Sequence, residues 1–210
     1  MGDLIVLKDR RADRTRARAG ASPVFFFNLC CPFSYLAAER IERDLGEAKW
    51  VPSAVVDPHT WTYRPTCVPP PSAARPHCGC RSCGRTGSPR APTAMRAAAH
   101  AAEVGADARF VLAASRLAFC GGFDVEDPEI VAEAAAWAGV PLADCLAAAG
   151  DPERDEPQLA TARGLRAKGI EQLPAIRIGR RWFGGERRLA EAVAFLRAPA
   201  LYGRPLAPVG

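Results

Sequence analysis

The feature that most constrains the fold is an apolar run that changes into an amphipathic helix at a Cys-Cys-Pro sequence, FFFNLCCPFSYLAAER, residues 25–40. The run PVFFFNL, residues 23–29, is short, aromatic and bounded by turn formers, which predicts a buried strand. Apolar residues then recur at spacings of three and four, which predicts a helix. Its predicted buried face consists of Phe33, Leu36, Ala37, Ile41 and Leu45. Residues 48–56 predict a second strand, so the chain begins as a parallel β-α-β unit.

The composition divides the chain into four parts. Residues 1–21 carry many like charges and predict a mobile basic arm. Residues 22–58 and 170–200 form the strand-containing domain, because residues 175–183 predict a hairpin around Gly179 and a closing helix follows. Residues 59–92 are an insert rich in Pro, Cys, Gly, Ser and Arg, and residues 93–169 are alanine-rich and predict an inserted helical subdomain of three to five helices. The predicted order is β-α-β, a helical insertion, then β-β-α.

Start and stop signals within the helical subdomain are clear. In DPEIVAEAAAWAG, Asp127 can cap a helix, Pro128 suits its first turn and Gly139 ends it. The sequence DPERDEP at 151–157 starts another helix in the same way. The two cysteines of this subdomain, Cys120 and Cys145, lie in helical stretches and are expected in the core.

Composition limits the class of protein. The chain has 210 residues and no stretch of about 20 apolar residues, so we expect a soluble cytoplasmic protein that does not span a membrane. Such a compartment keeps thiols reduced, and the eight cysteines are therefore metal ligands, catalytic groups or small buried residues. The net charge is +5, but only three of the 28 basic residues are lysines. This bias is typical of GC-rich coding, and we do not expect a nucleic-acid partner from it.

Cys31 is predicted to be the N-cap of the first helix. Pro32 fits the first helical position because its missing N–H would be unpaired there. Unpaired N–H groups and the positive end of the helix dipole then point at the Cys31 sulfur, and we expect the pKa of this thiol to fall, giving a nucleophile. Ser34 lies one turn on, where its hydroxyl could donate to the sulfur, but it cannot resolve a mixed disulfide. The alternative is that both cysteines are small buried residues; for Cys30 we favour this structural role and leave an auxiliary thiol role open.

The insert contains four cysteines within 17 residues: Cys67, Cys78, Cys80 and Cys83. The two-residue spacing between Cys80 and Cys83 is typical of zinc knuckles. A segment without apolar residues needs another source of order, which four thiolates on zinc would supply. The sequence therefore predicts a structural zinc site, with a mobile thiol-rich loop as the alternative.

Three segments together resemble one family. VFFFNLCCPFSYLAAERIE, GIEQLPAIRIG and WFGGERRLAEAVAFL are similar to the DsbA-like branch of the thioredoxin superfamily, especially the 2-hydroxychromene-2-carboxylate isomerase and kappa-class glutathione transferase group. The stretch ARFVLAASRLAFCGGFDVEDPEIVAEAAAWAGVPLADCLAAA resembles that group's inserted helices. The resemblance covers residues 22–197 apart from the insert, and it implies an α/β thioredoxin-like fold.

The resemblance also implies residue roles. Cys31 stands where isomerase relatives have a serine that activates a thiol cofactor and where DsbA-like oxidoreductases have the nucleophilic cysteine. Leu173 and Pro174 correspond to the cis-proline loop that lines the thiol site. Glu186 and Arg187 stand where relatives hold the γ-glutamyl end of glutathione. Together with Pro32 and Phe33, these residues are the expected substrate-binding or thiol-cofactor-binding set.

The sequence is compatible with two functions. The first is a thiol-dependent oxidoreductase or thiol-cofactor-dependent isomerase or transferase, with Cys31, Ser34 and Cys30 as candidate catalytic residues. Its partners would be glutathione or another low-molecular-weight thiol, an aromatic substrate, or a protein disulfide. The second is a nucleic-acid or protein binding module, with a zinc knuckle on an inert scaffold. We favour the first because its three segments converge on one site. The oligomeric state stays open, with a homodimer as one option.

Overall fold

The computed structural model describes residues 22–56 and 91–197. The predicted basic arm and most of the Cys-rich insert, with Cys67, Cys78, Cys80 and Cys83, lie outside the described residues. Within them, no helix has the length and apolar character needed to cross a membrane.

The described residues form four strands and seven α-helices in the predicted order. The strands are β1 (Val24–Phe27), β2 (Lys49–Pro52), β3 (Ala175–Ile178) and β4 (Arg181–Gly184). The helices are α1 (Pro32–Leu45), α2 (Pro92–Glu103), α3 (Asp107–Phe119), α4 (Pro128–Ala138), α5 (Leu142–Gly150), α6 (Asp155–Arg166) and α7 (Leu189–Arg197). Short 3-10 turns at Pro152–Arg154 and Glu186–Arg188 precede α6 and α7. The α/β fold class and its helical insertion are confirmed.

The four strands form one sheet in the order β2-β1-β3-β4. β1 pairs in parallel with β2, with Phe25 opposite Trp50, and antiparallel with β3, with Phe25 opposite Ile176. β3 and β4 form the predicted hairpin, and Gly179 in its turn has a φ of 59°, which suits glycine. β1 is therefore central, which explains why all four of its residues are buried.

Apolar clusters cover both faces of the sheet. On one face, Phe25, Phe27 and Ile176 pack into the main core with Ile41 of α1 and Phe110 of α3. On the other face, Val24, Phe26 and Ala175 share a smaller cluster that also contains Cys31. α6 contributes Ala162 and Leu165 to this smaller cluster. The Cys31 side chain is thus buried in a cluster that contains residues of both the sheet and α6.

The predicted helix caps are confirmed in the subdomain. Asp127 accepts a hydrogen bond from Glu129 N at 2.9 Å, and Gly139 ends α4 in the left-handed conformation at a φ of 72°. Asp151 accepts from Glu153 N at 3.0 Å at the start of the turn that leads into α6.

Two expectations about burial are wrong. Phe33 and Leu36 are about half exposed, at 49% and 51%, because the face of α1 that packs inward is formed instead by Ser34, Ala37, Ala38, Ile41 and Leu45. Cys120 ends α3 on the surface, where its exposed sulfur lies 3.1 Å from Tyr35 Oη. Cys145 is buried in the core as expected.

Candidate active site at the start of helix α1

The site forms where β1 ends and α1 begins. A turn over residues 28–31 is closed by the Cys31 N–H, which donates to Asn28 O at 3.0 Å. Cys31 is the N-cap of α1 in extended conformation, and its sulfur accepts a hydrogen bond from Ser34 N at 3.3 Å. The predicted capping role of Cys31 is therefore confirmed, with Pro32 at the first helical position.

The segment around residue 174 meets this sulfur from far along the chain. The Leu173–Pro174 peptide bond is cis. The Cys31 thiol donates to Leu173 O at 3.5 Å. Leu173 and Pro174 are both buried, so the carbonyl and the sulfur meet away from water. The structure thus brings together Cys31, Ser34 and the Leu173-Pro174 pair, three parts that the sequence assigned to one site.

The expected ionisation of Cys31 is wrong for this arrangement. Cys31 is only 1% exposed, and burial raises the pKa of its thiol above the ordinary value of 9.0. Hydrogen bonds from the Ser34 hydroxyl and N–H and from the Phe33 N–H lower that pKa, but they do not outweigh burial. The hydrogen bond to Leu173 O also favours the protonated form, since a thiolate has no proton to donate. Burial in this structure therefore opposes the thiolate that the start of the helix would favour.

Cys30 occupies the opposite side of the turn. Its N–H donates to Asn28 Oδ1 at 2.9 Å, and its half-buried side chain packs against the main core rather than the cluster of Cys31. Burial, followed by the negative charge of Glu126, raises the pKa of Cys30 to about 12. These surroundings fit the structural role and disfavour Cys30 as a second nucleophile.

The predicted cofactor-binding residues lie next to the proline loop. Gly185 N donates to Pro174 O at 2.8 Å, so the turn that contains Glu186 and Arg187 is tied to Pro174. Glu186 Oε1 lies 3.9 Å from Arg40 Nη1 on α1, whereas the Arg187 side chain is exposed. Pro32 is partly buried, and Phe33 extends from the same helix start into solvent.

One contributor to the site was not predicted from the sequence. Asn28 is a polar residue that is only 6% exposed at the end of β1. Its side chain accepts from Cys30 N and donates from Nδ2 to Ser53 O at 2.8 Å. A buried asparagine between an apolar strand and a Cys-Cys-Pro turn is a signal that could have identified it, because buried amides need hydrogen-bond partners.

A metal centre is not formed by the described residues. Within 22–56 and 91–197, no group of three or more His, Cys, Asp or Glu side chains is placed to hold a metal ion. The predicted zinc ligands lie outside these ranges, so the zinc site stays a prediction.

Comparison with known proteins supports the fold. No protein-family model matches the chain, and no curated protein matches it at a significant level. Among solved structures, a 2-hydroxychromene-2-carboxylate isomerase is similar with a TM-score of 0.57 and 12% identity, over 83% of this chain and 93% of that one. A probable DsbA oxidoreductase from Streptomyces coelicolor is similar with a TM-score of 0.59 and 16% identity, over 89% of this chain and 93% of that one. The predicted thioredoxin-like α/β fold is therefore confirmed.

Proposed function

We propose that this protein is an enzyme of thiol chemistry in which Cys31 exchanges with the disulfide of a substrate. The observation that carries the proposal is the position of one sulfur, which caps α1 through Ser34 N at 3.3 Å and lies 3.5 Å from the carbonyl oxygen next to cis Pro174. An inert buried cysteine requires neither contact. The names of the two similar structures, an isomerase and an oxidoreductase, are compatible with this class of chemistry.

The exchange uses one protein thiol and two external reactants. Cys31 loses its proton, and the thiolate attacks one sulfur of a disulfide R–S–S–R. A bond forms between Cys31 Sγ and that sulfur, the old S–S bond breaks, and the other sulfur leaves as a thiolate that takes up a proton. Position 34 is a serine and supplies no second thiol, so an external thiolate attacks the adduct sulfur and releases Cys31. The sulfur that was held on Cys31 and the external thiol end as a new disulfide R–S–S–R′, the sulfur that left first remains a thiol R–SH, and Cys31 is again a free thiolate.

The helix start has a defined part in this cycle. When the sulfur is deprotonated, the N–H groups at the start of α1 and the Ser34 hydroxyl stabilise the negative charge. The same groups stabilise Cys31 as a leaving group in the second step, because a better-stabilised thiolate leaves faster. Leu173 O has the opposite effect. It accepts a hydrogen bond from the protonated thiol, and it therefore stabilises the resting state rather than the thiolate.

Exchange also requires movement. A sulfur that is 1% exposed cannot meet a second sulfur, so the residues that cover it must shift. Val56, after β2, and Ala162 and Leu165 of α6 share the apolar cluster of Cys31, and we call these three residues the cover. We propose that substrate reaches Cys31 when the cover moves away from the sheet. Opening also restores water to the sulfur, which lowers the pKa of Cys31 and makes the thiolate accessible.

The proposed co-substrate is glutathione or another low-molecular-weight thiol. Glu186 and Arg187 provide one negative and one positive charge on a turn held to Pro174 by the Gly185 hydrogen bond. Such a pair can bind the ammonium and carboxylate groups of a γ-glutamyl moiety. A protein disulfide is the other candidate, and half-exposed Phe33 and Leu36 on α1 would contact its apolar side chains.

The test follows reduction of a small fluorogenic disulfide with glutathione in excess. The wild type should accelerate the reaction, and Cys31→Ala should reduce the rate to that of buffer. Cys120→Ala is the matched control, because it removes an exposed cysteine outside the site and should leave the rate unchanged. Equal rates for the wild type and Cys31→Ala would refute the proposal.

A further inference from the structure

Asn28 makes an unusual number of hydrogen bonds for a residue outside the thiol chemistry. Its side chain uses Oδ1 to accept from Cys30 N at 2.9 Å and Nδ2 to donate to Ser53 O at 2.8 Å. The first bond fixes the turn that precedes Cys31, and the second joins that turn to the segment after β2. The segment is itself anchored, because Ser53 N donates to Phe27 O at 2.9 Å. Asn28 therefore holds the turn against the sheet.

The backbone of Asn28 contacts both residues of the thiol site. Its carbonyl oxygen accepts from Cys31 N at 3.0 Å, and its N–H donates to Ser34 Oγ at 3.3 Å. The second bond occupies an acceptor site of the Ser34 hydroxyl, so the hydroxyl proton points elsewhere. The Cys31 sulfur is beside it, 3.3 Å from the N–H of the same serine. Because the Asn28 side chain fixes the turn, a change in that side chain moves the backbone N–H that binds Ser34 Oγ, and it reaches Cys31 through Ser34.

We propose that Asn28 is a positioning residue that directs the Ser34 hydroxyl toward the Cys31 sulfur and thereby sets how readily Cys31 forms a thiolate. The biological meaning of this inference rests on the proposed function, whereas the hydrogen bonds of Asn28 that support it do not. The hydroxyl of Ser34 is among the groups that lower the pKa of Cys31 against the effect of burial, which agrees with the assignment.

The chemistry explains why an amide is required at position 28. The side chain must accept from one peptide group and donate to another, and an amide does both. A carboxylate of the same size would keep the acceptor for Cys30 N but would face Ser53 O with a second acceptor. It would also bring a buried negative charge close to the Cys31 turn, which opposes thiolate formation.

The test measures alkylation of Cys31 by iodoacetamide against pH, from about pH 7 to about pH 11, with peptide mass mapping to identify Cys31. The midpoint of the profile reports the pKa of Cys31, and its plateau reports access to the sulfur. We expect Asn28→Ala and Asn28→Asp each to raise the midpoint by about one unit, which is about a tenfold lower rate at a fixed pH below it. Ser53→Ala is the control, because it removes a buried hydroxyl from the same segment while leaving the Ser53 carbonyl bound to Asn28.

A double-mutant cycle with Ser34→Ala separates positioning from general loosening. If Asn28 acts through the Ser34 hydroxyl, Asn28→Ala should not move the midpoint further once that hydroxyl is absent. An unchanged or lower midpoint in both Asn28 variants, or equal shifts with and without the Ser34 hydroxyl, would overturn the inference. Asn28→Leu keeps the volume of the side chain and removes its hydrogen bonds without adding a charge, and it replaces Asn28→Ala in the cycle if that variant does not fold.

Alkylation requires no substrate disulfide, so the two proposals can fail separately. A shifted midpoint in a protein that reduces no disulfide would keep the role of Asn28 and refute the enzyme function. A protein that reduces the disulfide, but whose alkylation midpoint does not change when Asn28 is replaced, would keep the enzyme function and refute the role of Asn28.

Discussion

Access to Cys31 should depend on the ion pair that holds the first turn of α6. Arg96 of α2 donates to both carboxylate oxygens of Asp155, with Nε at 2.7 Å from Oδ1 and Nη2 at 2.6 Å from Oδ2. Asp155 is the first residue of α6, and the same helix supplies Ala162 and Leu165 to the cover. Opening of α6 that separates α2 from Asp155 must break this bidentate pair.

The energy of the Arg96–Asp155 pair sets the expected change in the rate of Cys31 alkylation. Hydrogen bonds to charged groups contribute about 1.5–3 kcal/mol, and partial exposure favours the lower end of that range. The Arg96 and Asp155 side chains are 16% and 36% exposed, so we take about 1.5 kcal/mol. Arg96→Met keeps most of the aliphatic volume and loses the pair. The open population, and with it the rate of Cys31 alkylation, should rise about tenfold.

The assay is site-resolved alkylation at neutral pH, with two internal references. Arg163→Met is the matched control, because Arg163 pairs with Glu156 inside α6 and that pair is kept when the helix moves. Cys145, which is fully buried in the main core, reports global unfolding. An unchanged Cys31 rate in Arg96→Met would refute the reasoning, as would parallel increases at Cys31 and Cys145.

Four further predictions follow from the same structure. In the resting protein, iodoacetamide should modify exposed Cys120 before buried Cys31, and the reverse order in a peptide-mapped time course would show that the sulfur is not covered. Because the Cys30 thiol loses its proton near 9.0 when unfolded and near 12 when folded, the folded chain holds more protons between these values, and its stability should fall as pH rises through them. The free energy of unfolding, measured by urea unfolding at several alkaline pH values, should fall less steeply with pH in Cys30→Ala, by up to about 1.4 kcal/mol per pH unit. An identical pH dependence in the two proteins would contradict the raised pKa of Cys30. Glu126 binds Thr93 N and Oγ1 at 3.0 Å each at the start of α2, so Glu126→Ala should cost about 1 kcal/mol in urea unfolding, whereas exposed Glu129→Ala should cost less. Total metal analysis after expression with added zinc should find about one zinc per chain if the four cysteines of the insert bind it, and a ratio near zero would remove that prediction.

Local signals in the sequence predicted much of the fold. The caps at Asp127 and Cys31 were predictable because a cap depends on residues within one turn of it. The β3-β4 hairpin was equally local. By contrast, the spacing of apolar residues in α1 fits two neighbouring faces of the helix and does not show which of them packs inward. The prediction that Phe33 and Leu36 are buried was wrong for that reason.

The state of the thiol depended on contacts that no local pattern contains. Ala162 and Leu165 share the apolar cluster of Cys31 although they lie about 130 residues beyond it, and burial of the thiol raises its pKa where the helix start alone predicts a fall. Asn28 was missed for a similar reason. Its side chain binds Ser53 across the β1-β2 crossover, and that contact exists only once the parallel pair has formed.

The most direct test of the account is peptide mapping of the mixed disulfide after incubation with oxidised glutathione. We predict one glutathione on Cys31, formed about tenfold faster in Arg96→Met than in the wild type and released by added thiol. Glutathione found on Cys120 alone, with Cys31 unmodified in both proteins, would contradict it.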